Sequence, residues 1–286
     1  MDAEPGVRVR LEVVPSASLL DQLPKVYPAP GSVSVTCLPH HGPARTVAAS
    51  VRLARLGYSV VPHVAARSIG SEEELHGFLR QLLEAGVSEL FIVAGDRRTP
   101  EGPYAWSGQL LDAVKAFSPL LTIGIAGYPE GHPGITAGGL KASLDSKAPL
   151  ASSLVTQMCF SADDITRYLD GLVHSGPHLP VWVGIPGPVS TGKLVAMAAR
   201  LGVGRSIKLA HGTGMARALW NRQHLLQYDS AGLAGKVHRK LGGHPLFAGF
   251  HIYTFNDFSG LPGLLERVPA VPIPAPEKLD KGVPTH

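Results

Sequence analysis

Tyr128-Pro-Glu-Gly-His-Pro133 places a phenol, a carboxylate and an imidazole directly after the apolar run Ile123-Gly-Ile-Ala-Gly127. Such a trio can hold a planar ligand or move a proton, and an apolar run that ends this way reads as a buried strand leading into a functional loop. The prolines alone also account for the segment as a stiff surface turn. A second carboxylate, Glu12, lies where Val7, Val9, Leu11 and Val13 alternate with Arg8, Arg10 and Glu12. In a strand, that alternation turns the apolar set to one face and Glu12 to the other, near the strand's carboxyl end. A carboxyl withdrawn from water there favours its protonated form and suits a general acid, whereas pairing with Arg10 on the same face would keep it ionised. The pattern favours neither. Asp96 closes Ile92-Val-Ala-Gly-Asp96 and by itself reads first as a turn former or helix cap. Gln157 ends another apolar run, where its amide needs partners that a heterocyclic ligand can supply.

Other signals fade on inspection. Gly187-Pro-Val-Ser-Thr-Gly-Lys193 imitates a phosphate-binding loop, but Leu194 stands where a magnesium-binding hydroxyl is required and Pro188 lacks an N–H. Ser190 or Thr191 fits better as a helix cap, in a loop placed where barrels often bind phosphate. His40, His41, His63, His132 and His251 belong to no His-x-His or His-Glu-x-x-His element, so no metal is expected.

These residues need a scaffold, and the chain alternates short apolar runs with helical ones about eight times, the count of a (β/α)8 barrel. Strands are expected near residues 7–14, 32–37, 58–63, 89–94, 121–127, 152–158, 181–185 and 248–254. Glu72 to Ala85 repeats leucine at helical spacing and stops at Gly86; Ala162 to Ser175 does the same behind a Ser161 cap and before Gly176. The stretch 205–244 exceeds one crossover and is expected to hold an inserted helix ahead of the last strand. Residues 1–268 are expected to form one barrel domain, and the proline-rich 269–286 an extended or disordered tail. An open doubly wound sheet is the runner-up, but no Gly-x-Gly-x-x-Gly element supports it.

Composition limits the function. With 286 residues, 44% hydrophobic and 17% charged, the chain is an ordinary globular protein. Its net charge of +4 is spread without the basic and aromatic clusters of nucleic-acid binders, so small anionic ligands fit better. Cys37 and Cys159 both lie in apolar runs, which points to buried thiols and a cytoplasmic location. Neither a leader nor an apolar stretch of the roughly 20 residues that span a bilayer is evident.

Taken in order, the motifs from Leu11 to Phe258 resemble the methylenetetrahydrofolate reductase family. Leu11-Glu-Val-Val-Pro15 is similar to its Phe-Glu-Phe-Phe-Pro, Val33-Ser-Val-Thr36 to its Val-Ser-Val-Thr, Pro62-His63 to its Pro-His-Leu-Thr and Gly95-Asp96 to its Arg-Gly-Asp. Tyr128-Pro-Glu-Gly-His-Pro133, Leu140-Lys-Ala-Ser-Leu-Asp145, Thr156-Gln157 and His251-Ile-Tyr-Thr-Phe-Asn256 resemble its later motifs in the same order. The resemblance implies a barrel enzyme reducing 5,10-methylenetetrahydrofolate to 5-methyltetrahydrofolate. It implies Glu12 as the acid that protonates N10, Asp96 as the stabiliser of the iminium, and Gln157 on the pterin. Folate contacts are further implied at Thr36, Gly95 and Thr254, and a cofactor groove at His63, Tyr128, Glu130 and His132. Arg10 departs from the small residue usual in the family. Three further departures fall on flavin contacts: Ala94 replaces an arginine, Ser143 a phosphate-binding lysine, and Gly134-Ile-Thr-Ala-Gly-Gly139 is shortened and lacks an aspartate.

The expectation is therefore a flavin-independent member in which NADH or NADPH passes hydride directly to folate. An FAD-dependent reductase and a catalytically silent folate-binding relative are the alternatives, with a two-carboxylate hydrolase further off. The expected partners are folate and pyridine nucleotide, without nucleic acid or membrane, for a monomer or small homo-oligomer.

Overall fold

The computed structural model describes residues 6–132, 134–190, 229–268 and 270–271. Strands and helices alternate as β1 (Val7–Val13), α1 (Leu19–Val26), β2 (Ser32–Val35), α2 (Gly42–Arg55), β3 (Ser59–Ala65), α3 (Glu72–Glu84), β4 (Glu89–Val93) and α4 (Ser107–Phe117). They continue as β5 (Thr122–Gly127), α5 (Ala137–Lys147), β6 (Ser153–Thr156), α6 (Ala162–Ser175), β7 (Val181–Pro186), α7 (Ser230–Leu241), β8 (Phe247–Tyr253), α8 (Leu261–Arg267) and β9 (Ala270–Val271). The hydrogen-bonded order runs β2-β3-β4-β5-β6-β7-β8-β1-β9, and a further β1–β2 pairing returns it to its start. This is the expected (β/α)8 barrel, with each of the eight expected strands found within two residues of its expected ends.

Local chemistry explains the elements. Ser71 caps α3 by accepting the Glu74 N–H at 3.2 Å, and Glu72, Glu73 and Glu74 set negative charge in its first turn. Leu75, Leu79 and Leu82 are its buried stripe, each contributing about 1.5–3 kcal/mol by leaving water. Phe78 and Leu83 beside them are only partly covered. Ser161 caps α6 through the Asp164 N–H at 3.2 Å, and Ile165, Leu169 and Leu172 are buried along it. On β1, Val7, Val9, Leu11 and Val13 are all buried, as the alternation requires.

Two compact units make up the chain, one from its start to Glu12 together with Ala126–Val271, the other from Val13 to Ile125. In the first, β7 and β8 pair as Val181↔Phe247 and then Trp182↔Gly249. Ala248 is thus an extra residue, a bulge that sets the facing of every β8 side chain beyond it. Its carbonyl accepts the Arg8 guanidinium at 3.0 Å. Also in this unit, Lys240 of α7 pairs with Asp163 of α6 at 2.7 Å.

Some expectations fall on residues outside those described. The inserted segment 205–244 does so up to residue 228, after which Ser230–Leu241 is helical as α7. The loop 187–193 is described only to Ser190, which leaves the Ser190 or Thr191 cap outside. Of the tail, Ala270 and Val271 are described, and they pair in parallel with Val7 and Arg8. No helix among the described residues is long and apolar enough to cross a membrane.

Candidate active site

In the first unit, Glu12 sits near the end of β1 with 13% of its side chain exposed. Its Oε2 lies 3.0 Å from Nε2 of His251, which is 1% exposed on β8. Parallel register explains the meeting, because Arg10 pairs with His251 and Glu12 with Tyr253, so all four share a face. The Arg10 guanidinium lies over the Trp182 ring at 4.2 Å, a cation–π contact that gives this buried cation a seat on β7.

Thr254 closes the same strand ends. Its fully buried hydroxyl donates to the Glu12 carbonyl at 2.6 Å, and the same oxygen accepts the Asn256 N–H at 3.2 Å. Beyond it, Phe255 and Asn256 take φ of 50° and 55°, uncommon for any residue and strained for an aromatic one. Tyr253 donates its hydroxyl to the Thr156 carbonyl at 3.0 Å, and burial, with Glu12 close by, pushes this phenol well above its ordinary range.

Gln157 follows β6 and is held by its backbone. Its N–H donates to Gly127 at 2.8 Å, and its carbonyl accepts Cys159 Sγ at 2.9 Å and the Thr156 hydroxyl at 3.0 Å. The Thr156 hydroxyl in turn accepts the Gly184 N–H at 2.8 Å. A Cβ on Gly184 would stand 2.4 Å from the Thr156 carbonyl oxygen and 2.9 Å from that of Gln157, so only glycine lets β7 approach. The Gln157 side-chain amide has no partner among the described residues, which leaves its donors and acceptor available to a ligand. Cys159 is buried, and its thiol is pushed well above its ordinary range by that burial.

The loop after β5 holds Tyr128, Glu130 and His132. Tyr128 and His132 meet edge to face at 5.3 Å. Glu130 is tied to the chain: its Oε1 accepts the Phe160 and Ser161 N–H groups at 2.8 and 3.2 Å, just ahead of α6. Burial raises the Glu130 pKa, and those two bonds oppose the rise.

The second unit carries the other candidates. Thr36, 6% exposed after β2, has a buried hydroxyl without a partner among the described residues. His63 on β3 places Nε2 2.8 Å from the Ser34 hydroxyl and stands edge-on to Phe91. Gly95 has φ of +84°, and a Cβ there would lie 3.0 Å from that of Ala65. This turn releases Asp96 from the end of β4, and partial burial raises its pKa. Asp96 has no ion pair or hydrogen bond among the described residues.

His251 and Tyr253 were given no catalytic or binding role from sequence. Their signal was present, since both alternate with Phe250 and Ile252 as Glu12 does with its valines. Among the described residues, no group of three or more His, Cys, Asp or Glu is placed to hold a metal ion.

Alternating strands and helices make this a (β/α)8 barrel protein, with Glu12 anchored near one strand end and the Gln157 amide open after another. Two solved structures align with this chain at 10% identity. A chitinase from Rhizomucor miehei aligns over 92% of this chain and 99% of its own, with a TM-score of 0.50. A muconate cycloisomerase from Azorhizobium caulinodans aligns over 87% of this chain and 54% of its own, with a TM-score of 0.43, so this chain spans about half its length. At that identity the chitinase speaks to fold alone. The chain belongs to the methylenetetrahydrofolate reductase family, whose model matches residues 16–268. Membership implies an oxidoreductase acting on methylenetetrahydrofolate with a pyridine nucleotide as donor. Glu12 precedes the matched span, so its assignment leans on the geometry above.

Proposed function

We propose that this protein reduces 5,10-methylenetetrahydrofolate to 5-methyltetrahydrofolate by direct hydride transfer from NADH or NADPH, without bound flavin. The observation that carries the reading is Glu12 held by buried His251 at 3.0 Å near the end of β1, within a chain of this family. The contact between His251 Nε2 and Oε2 orients the Glu12 carboxyl toward its acid role. Glu12 then protonates N10, the ring opens to an iminium, Asp96 stabilises that cation, and the open Gln157 amide takes the pterin edge. Thr36, Gly95 and Thr254 shape the folate site. Hydride passes from nicotinamide C4 to the exocyclic carbon at about 3–3.5 Å. His63, Tyr128, Glu130 and His132 serve the nucleotide.

The residues fit flavin adenine dinucleotide poorly. Ala94 and Ser143 bring no charge to its phosphates, and Lys141 on α5 is engaged by Asp145 at 2.8 Å. No step is therefore assigned to a flavin. We further propose that residues 1–268 act as one catalytic domain in the cytoplasm, as a monomer or small homo-oligomer.

The test is the visible spectrum of the purified protein, followed by NAD(P)H oxidation on adding methylenetetrahydrofolate. A colourless protein that oxidises the nucleotide is expected. A stoichiometric flavin chromophore overturns the flavin-free mechanism and leaves the reductase reading intact; absence of oxidation overturns the reductase reading.

A further inference from the structure

Loops after β2 and β4 in the second unit carry a group of basic residues that the reaction above leaves unused. His40 and His41 follow β2 with ring centroids 4.1 Å apart, Arg45 lies in the first turn of α2, and Arg97 and Arg98 follow Asp96. Arg97 knits the loops together. Its Nη2 donates to the Pro39 carbonyl at 3.3 Å and pairs with Glu101 at 2.8 Å, while its own carbonyl accepts Arg67 Nη1 at 3.1 Å. Arg67 also donates Nε to the Ala105 carbonyl at 2.8 Å. The arginine framework is thus fixed by main-chain carbonyls from separate loops, an arrangement that orders a surface before any ligand arrives.

The charge on this framework is incompletely answered. Glu101 meets Arg97, but Arg45 and Arg98 are exposed and make no ion pair or side-chain hydrogen bond among the described residues. Burial, then His40 and Arg45, hold the His41 imidazole below its ordinary range. The first turn of α2 adds no acidic residue, and its N-cap makes no side-chain bond. Uncompensated cations beside Asp96, at the ends of parallel strands where barrel ligands bind, call for an anion.

We infer that Arg45 and Arg98, on the framework held by Arg97 and Arg67, form a subsite for the multiply anionic tail of a bound ligand. Two ligands of the proposed reaction have such a tail: the phosphates of the pyridine nucleotide and the glutamate carboxylates of the folate. The shared chemistry is a flexible chain of oxyanions, which exposed guanidinium groups bind by charge-assisted hydrogen bonds. The inference rests on the reductase reading for the identity of these ligands.

Calorimetric binding to the full-length protein tests it, with NADH, NADPH and tetrahydrofolate bearing one or several glutamates, for wild type and the Arg45→Gln/Arg98→Gln double variant. The double variant is expected to bind one ligand type roughly tenfold more weakly. A loss for both NADH and NADPH assigns the pyrophosphate, a loss for NADPH alone the 2′-phosphate, and a loss that grows with glutamate number the carboxylates. Wild-type affinity for that ligand should fall with added salt, and the variant's should fall less. Equal binding of all four ligands by both proteins overturns the subsite. Should the variant not fold, salt-independent wild-type affinity overturns it equally. Because these are binding measurements, a wild type that binds but does not oxidise NAD(P)H refutes the reductase reading separately.

Discussion

Replacing Glu12 by Gln and by Ala separates the chemistry of this carboxyl from its place in the fold. Gln keeps an acceptor for His251 Nε2 at the 3.0 Å position but cannot give up a proton. Losing a positioned general acid costs roughly 10²–10⁴ in rate, or about 3–5 kcal/mol of barrier. Glu12→Gln should therefore lower kcat by that factor while folate affinity and the unfolding midpoint stay near wild type. Glu12→Ala loses the same chemistry and also removes the acceptor from an imidazole that is 1% exposed, at about 1–3 kcal/mol. Its midpoint should fall by several degrees where that of Glu12→Gln does not. The assays are methylenetetrahydrofolate-dependent NAD(P)H oxidation, folate binding by calorimetry, and thermal unfolding followed by circular dichroism. A Glu12→Gln variant turning over at near the wild-type rate would refute the acid role.

Two further substitutions test the surroundings. Gly184→Ala drives a Cβ against the carbonyl oxygens of Thr156 and Gln157, so it should cost about 1–3 kcal/mol in a denaturant titration and raise the folate KM; unchanged values for both would show that the Gln157 backbone is not held by this packing. Asp96→Asn should slow turnover yet slightly stabilise the fold at neutral pH, because partial desolvation raises the folded-state pKa of this largely exposed carboxyl. A raised acid means that the folded state binds the proton more tightly, so stability is lost as pH rises from the unfolded value through the folded one. The advantage of Asn should accordingly vanish below the ordinary aspartate range, and an advantage that persists in acid would contradict the burial argument.

Much of this barrel is legible from residue order, since strand and helix periodicities are local. Leu75, Leu79 and Leu82 on α3 and the valines of β1 declare their buried faces without help from distant chain. The partners of the polar residues are set by packing instead. Glu12 was balanced between a free acid and an Arg10 pair, and the structure adds two features that no local pattern contains: His251 from β8 and the Trp182 face under Arg10. Glu130 is similar, because the N–H groups it takes lie 30 and 31 residues away. The facing of His251 itself depends on the one-residue slip at Ala248, and a bulge leaves only a faint mark on hydropathy alternation.

The bond from Glu130 to the chain ahead of α6 bears on why the motif around it is kept. A carboxylate that fastens one loop to the next helix gives selection a reason to retain Tyr-Pro-Glu whatever electron carrier the protein employs. The tripeptide thus has a part in building the fold, beside any part it takes in holding a ligand.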